Sequence, residues 1–311
     1  MAHLPHEELM QTDSDEGPRI RESYDNLQPI AHASGDLELD TRVYGERGKY
    51  RAFVSPAWEI CGPNGGYMAS IALRAAAAES YLKHPTSLYC HFLRPARFDW
   101  IDAEVSVLQR GRRAESIRVS LSQAGKPVLE GLLRTALPAD GLEHEYAESP
   151  AVAAPETLPC MEELADPTGP KFSFWQNLEA RVVQPERFSQ RTQNRPPHWL
   201  EWYRYRPTAI FDDPVADAAR ALVLIDTLGW PAAWLHHKDT TLRGPNLDVM
   251  AFFHGATQDS EWLLCEQTSP IAAGGTIATS ARIYARDGRL LASGGAQLIC
   301  LETEPTPKAK S

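Results

Sequence analysis

The sequence predicts an α+β chain made of two similar units in tandem, each an antiparallel sheet wrapped around a central helix. Three observations carry this expectation. A helix-forming stretch flanked by strand-like runs occurs once in each half, and an aperiodic, proline-rich stretch separates the halves. Turn residues also recur in register: laying one half on the other places Pro85 on Pro245, Gly111 on Gly274 and Gly125 on Gly288. Gly111 to Gly125 and Gly274 to Gly288 both span 14 residues, which points to a duplication.

The elements follow in order. Residues 1–35 form an acidic, polar arm with few large apolar side chains, a mobile segment or surface helix without chemistry of its own. The first unit runs over 36–137. Asp36–Ser55 alternates around Gly45 and Gly48, the pattern of a hairpin. Cys61–His84 opens with Gly62-Pro63-Asn64-Gly65-Gly66 and continues in alanine-rich helix formers, giving a helix whose small surface lets a curved sheet wrap closely. Four strands follow, within Ser87–Pro95, Asp99–Arg110, Ala114–Gln123 and Pro127–Leu137, the last two joined at Ala124-Gly125-Lys126. Residues 138–171, rich in Pro, Ala and acids, read as a linker. In the second unit, 172–302, Phe172–Gln184 and His198–Pro207 read as strands and Asp213–His237 as a helix. A second meander then covers Asn246–Gly255, Trp262–Pro270, Gly275–Arg286 and Arg289–Leu301, and 303–311 is a tail.

Composition removes several classes of function. The 311 residues carry 31 Lys+Arg against 41 Asp+Glu, a formal net charge of −10, which argues against a broad electrostatic grip on nucleic acid or an anionic membrane. No run approaches the roughly 18 apolar residues of a membrane span, and the N-terminus lacks the basic-then-apolar order of a signal peptide. Five cysteines without a C-x-x-C pair make a disulfide framework or structural zinc improbable and suit a reducing, cytoplasmic setting. Gly62–Gly66 lacks the Lys-Ser/Thr of a phosphate loop, and no G-x-S-x-G offers a serine nucleophile. His236, His237 and His254 lack metal-site spacing, and Cys61 has no identifiable histidine partner. Arg110, Arg112 and Arg113 flank a turn, a solvated tip or a contact for phosphates.

An ordered set of segments carries a family resemblance: GPNGGYMASIALRAA and HFLRPA in the first half, then LDVMAFFH, EQTS, RDGRLLAS and a late glutamine in the second. With one helix wrapped by an antiparallel sheet twice over, the chain resembles the tandem-hotdog acyl-CoA thioesterases of the thioesterase II type. The resemblance implies two hotdog folds and hydrolysis of acyl thioesters, most readily acyl-CoA, without metal or prosthetic group. It also implies a water held by an Asp on the first strand after the second helix, a Ser or Thr on the next strand and a Gln on the last. The matching positions here are Asp248, Thr268 and Gln297.

The residue types suit that chemistry in their own right. Thioester hydrolysis needs a held water, a base and donors for the oxyanion. Asp248 can be the base, while the Thr268 hydroxyl and the Gln297 amide can fix the water. Alternation puts Asp248 on a face with Met250 and Phe252, where desolvation would raise its pKa; the competing reading is a turn cap after Gly244-Pro245. The first half has Leu88, Val105 and Arg134 at the corresponding positions, so the halves are expected to be unequal and the chain to hold one site. The start of the first helix, Gly65, Gly66 and Tyr67, is the expected substrate-binding end, its amides facing a thioester oxygen. For Gly65-Gly66 the bland alternative is a tight turn with close packing. Two other functions stay open: a non-catalytic acyl-binding module, and a hydratase of Asp/His type using His254. Two units in one chain already supply the pairing that single units reach by dimerising, so a homo-oligomer is permitted without being required.

Overall fold

The computed structural model describes residues 34–164, 171–189 and 195–302. The acidic arm and the C-terminal tail read from the sequence lie outside the described residues.

The first unit begins with α1 (Leu37–Asp40), capped by the Asp36 side chain, and a hairpin of β1 (Tyr44–Glu46) and β2 (Lys49–Phe53). Alternation alone extended the hairpin back to Asp36. The Asp36 cap and the buried Leu37 hold the preceding residues as a helical turn instead. Helix α2 (Gly65–Ala78) follows, shorter at both ends than its alanine pattern suggested because Asn64 caps it and Glu79 ends it. The meander consists of β3 (Pro85–Phe92), β4 (Trp100–Arg110), β5 (Ala114–Gln123) and β6 (Lys126–Ala136).

The second unit contains α3 (Met161–Leu164), β7 (Leu178–Val182), α4 (Glu186–Ser189), β8 (His198–Tyr205), α5 (Pro214–Thr227) and α6 (Gly229–Trp234). Then come β9 (Leu242–Arg243), β10 (Asp248–Phe253), β11 (Leu263–Ala273), β12 (Thr276–Ala285), β13 (Leu290–Gly295), β14 (Gln297–Ile299) and β15 (Leu301–Glu302). Ser173–Asn177, expected to be strand, is a short 3-10 helix whose Phe174 is buried against Trp58. The helix read as continuous over Asp213–His237 divides at Leu228, which ends α5 and precedes Gly229 of α6.

One sheet joins the two units. Its order is β1-β2-β4-β5-β6-β3-β10-β13-β12-β11-β8-β7, with β14 paired to β12. The order reads alike from either end toward the centre, where β3 and β10 run antiparallel with Cys90 opposite Val249 and Leu88 opposite Ala251. That is the double-hotdog arrangement: two helices embraced by a continuous antiparallel sheet. Leu88, Cys90, Val249 and Ala251 belong to the core. The opposite face of these strands carries the Tyr89–Phe252 edge contact.

The small surface of α2 does what the sequence suggested. Ala69, Ala72, Ala75 and Ala76 are fully buried, and α2 packs against α5 so closely that a Cβ on Gly66 would stand 2.7 Å from Val223 Cα. Only glycine permits that approach without moving a backbone. At the other end of the pair Arg74 of α2 meets the Asp213 cap of α5 at 3.1 Å. The stretch read as a linker packs on the second unit: Trp202 Nε1 donates to Ala153 O, and Ala147, Val152 and Leu158 lie against the Trp202, Trp262 and Tyr284 cluster. Prolines deny it a ladder, yet its apolar side chains still find a surface to cover.

Candidate active site

Residues 244–247 lead from β9 into β10 and pass the C-terminal end of α5, and two clusters form there. Asp248 opens β10 opposite His91 of β3. Its Oδ1 accepts the Gln297 backbone N–H at 2.8 Å, although the two residues are 49 apart in sequence. Gln297 reaches this place because the last strand is interrupted: β13 ends at Gly295, and the Thr279 hydroxyl accepts from Ala296 N and donates to Ala296 O, re-aiming the chain into β14. Asp248, Gln297, His91, Tyr89, Met250 and Thr279 line a cavity of about 300 Å³.

The alternation expected for β10 is present with a different consequence. Val249 and Ala251 face the core, while Asp248, Met250 and Phe252 lie on the half-exposed face. The dehydrated acid at this end of the helices is Asp226, in the last turn of α5 and 3% exposed. Its Oδ2 accepts the Gly66 N–H at 2.6 Å, and its Oδ1 accepts from Asn246 Nδ2 at 2.6 Å. Asn246 Nδ2 also donates to the Asp226 carbonyl at 2.8 Å. Burial outweighs these two hydrogen bonds and pushes the Asp226 carboxyl up to about 7. Sequence reasoning passed over this residue. The available signal was an acid in the apolar run Ala221-Leu222-Val223-Leu224-Ile225-Asp226, where a solvated helix face would show more polar neighbours.

Four of the expected site residues stand elsewhere than anticipated. Thr268 lies on β11, separated from β10 by β12 and β13, three strand spacings or roughly 14 Å. It is Gln267 that points inward: fully buried, it donates from Nε2 to Ile225 O at 3.2 Å, whereas the Thr268 hydroxyl turns to Ser280 O on the other face. A shift of one residue along a strand exchanges the faces. The Gly66 N–H, expected to meet a thioester oxygen, is taken by Asp226 from the other unit. Tyr67 is fully buried: its N–H donates to the Asn64 side chain, and its hydroxyl donates to Asp40 O and accepts from Ser55 N. Gly65, the third of that set, abuts Asp226 and Phe92, with 2.8 Å from its Cβ direction to Asp226 Oδ1.

A second cavity, about 360 Å³, lies at the opposite end, where His84, Leu137, Asp217, Phe253 and His254 meet. His254 shares a hydrogen bond of 2.8 Å with Ser293 Oγ and is six residues beyond Asp248, roughly 20 Å along an extended strand. An Asp248/His254 dyad of hydratase type is therefore not formed. The arginine turn belongs to this end too, since Leu137 N–H donates to Arg113 O at 3.0 Å. Arg110 stacks on Tyr81 and donates to Glu79 O just past α2, about 21 Å from Gly65 by the helix rise. Among the described residues no group of three His, Cys, Asp or Glu side chains could hold a metal ion, and no helix is long and apolar enough to cross a membrane.

Comparison with known proteins agrees with this architecture. The N-terminal domain of acyl-CoA thioesterases matches residues 54–136, and the C-terminal domain of acyl-CoA thioesterases matches residues 155–300. Among solved structures, an acyl-CoA thioesterase II from Mycobacterium marinum is 21% identical with a TM-score of 0.71, covering 86% of this chain and 98% of its own. The tesB protein of Mycobacterium avium subspecies paratuberculosis is 21% identical with a TM-score of 0.72 over the same shares. A hot dog fold protein of unknown function from Alicyclobacillus acidocaldarius is 18% identical with a TM-score of 0.73, covering 89% of this chain and 100% of its own. At these identities the structural likeness establishes the fold.

Proposed function

This chain belongs to the acyl-CoA thioesterase family, and from that premise we propose that it hydrolyses acyl thioesters, acyl-CoA foremost, with Asp248 as the base. The observation that carries the reading is the meeting of Asp248 and Gln297 at one cavity despite their distance in sequence. The Gln297 N–H occupies Asp248 Oδ1, leaving Oδ2 to face a water. Water attacks the thioester carbonyl carbon while its proton passes to Asp248. The C–S bond then breaks, the acid is released, and the departing thiolate takes the proton back from Asp248. The Gln297 side-chain amide, exposed beside the acid, can orient the water or the carbonyl.

Thr268 has no part in this arrangement, and its absence favours a second reading: an acyl-binding module without turnover. Thiol release from short, medium and long acyl-CoA, run beside hydration of an enoyl-CoA, separates the readings. Thiol release that Asp248→Asn abolishes supports hydrolysis. Binding of acyl-CoA without thiol release would replace it with the binding module, and enoyl hydration would replace both.

A further inference from the structure

A deeply buried acid beside the site, Asp226, is not used by the reaction above, yet it is bonded to the N-terminus of α2 and to the chain that enters β10, one of the strands lining the cavity. It accepts from the first N-terminal turn of α2 through Gly66 N–H and from the chain entering β10 through Asn246 Nδ2. Asn246 is in turn bridged to Leu298, and Leu247 N–H donates to Gln297 O at 2.7 Å. Moving Asn246 therefore moves the two backbones that set the contact between Asp248 and Gln297. Asn64 adds a parallel tie, donating from Nδ2 to Thr227 Oγ1 at 3.0 Å. At the other end of the pair the Asp213 cap of α5 meets Arg74 of α2, so each end of the two central helices is tied by an acid, and Asp226 is the one that also reaches the approach to β10.

We propose that Asp226 is a positioning residue: as a carboxylate it clamps the α2 N-terminus to Asn246, and the clamp holds Asp248 against Gln297 in the geometry that hydrolysis requires. This rests on the reading of Asp248 as the base. The ionised form accepts at both oxygens with full strength; protonation puts an O–H on one of them, weakens that oxygen as an acceptor and removes the charge that strengthens both bonds. The groups that face Asp226 are few. From α2 come Gly65 and the Gly66 N–H; from the β10 approach comes the neutral Asn246 amide; from β3 come Phe92 and the Cys90 thiol, which burial and Asp226 together push up and keep protonated. Its own ionisation, centred near 7, is thus the titration expected to open and close the clamp.

The test follows the clamp and the catalysis separately. In labelled wild-type protein the Gly66 amide and the Asn246 side-chain amide should titrate together in NMR with a midpoint near 7, and both transitions should vanish in Asp226→Asn. With acyl-CoA as substrate, Asp226→Asn should lower kcat roughly ten- to hundredfold at pH 8 with KM little changed, the effect of misplacing a catalytic group without removing it. Asn246→Ala, which keeps the buried acid and its Gly66 contact, should give the same split and guards against a folding failure of the first variant. If both variants fold and keep wild-type kcat while wild-type turnover is present, the positioning role is refuted and Asp248 stands. If the Gly66 amide does not titrate, the clamp is refuted. If wild-type protein turns over no acyl-CoA, hydrolysis falls and the positioning role falls with it.

Discussion

Replacing Asp226 by Asn should change how stability depends on pH, and the size of the change can be worked from the site. The Asp226 carboxyl is pushed from its ordinary 3.8 up to about 7 by burial, offset in part by Asn246 and Gly66. A tenfold change in an acid's ionisation constant corresponds to about 1.4 kcal/mol, so the fully developed cost of ionising this buried acid is about 4 kcal/mol. The sign follows from proton uptake. Below pH 3.8 the acid is protonated whether folded or unfolded, and it makes no difference. Between 3.8 and 7 the unfolded chain has released the proton and the folded chain retains it, so stability declines as pH rises and levels off above 7. Roughly 2–3 kcal/mol of that decline falls between pH 5 and 8 by the same relation. The variant has nothing to titrate there, and other carboxyls cancel between the two proteins. Chemical denaturation of both at several pH values should therefore show the wild type losing ground to Asp226→Asn by that amount as pH rises. The amide costs a constant hydrogen bond, because its NH₂ must face either Gly66 N–H or Asn246, but a constant does not tilt the difference. A wild-type-minus-variant difference independent of pH between 5 and 8 would refute the assignment of a buried, proton-retaining Asp226.

Three other expectations concern the same end of the fold. Asp248→Asn should lower kcat by roughly 10²–10⁴-fold, the usual contribution of a general base, with the thermal melt unchanged. Thr268→Val should leave turnover near wild type in the same thiol-release assay, since the hydroxyl lies on the far face of β11; a loss as large as that of Asp248→Asn would contradict the strand placement. Gly66→Ala should destabilise by about 1–3 kcal/mol, read as a lowered melting temperature, because the added Cβ meets the Val223 backbone and neither helix can yield by turning a side chain.

What the amino-acid sequence determined by itself was the plan of the molecule. Alternation, alanine content and repeated turn glycines are local signals, and each acts within a few residues of where it is read, so the two central helices and both meanders were legible. Through the resemblance the sequence named Asp248 and Gln297 for one site, and their contact in the fold runs through the Gln297 backbone N–H. Three things were decided only by the tertiary structure. Which residue of Glu266-Gln267-Thr268 faces inward depends on a register that neighbouring strands impose, and an error of one residue turns Gln267 into Thr268. Whether the amides of α2 are open depends on what the other unit places against them, and a carboxylate 160 residues away occupies the Gly66 N–H. Which acid is desolvated depends on how deeply each is covered: Asp248 has apolar neighbours along its strand yet lies on the half-exposed face, while Asp226 is enclosed by α2, β3 and the approach to β10. Burial, helix ends and hydrogen-bond partners are properties of the packed pair of units, and no window of sequence contains both partners.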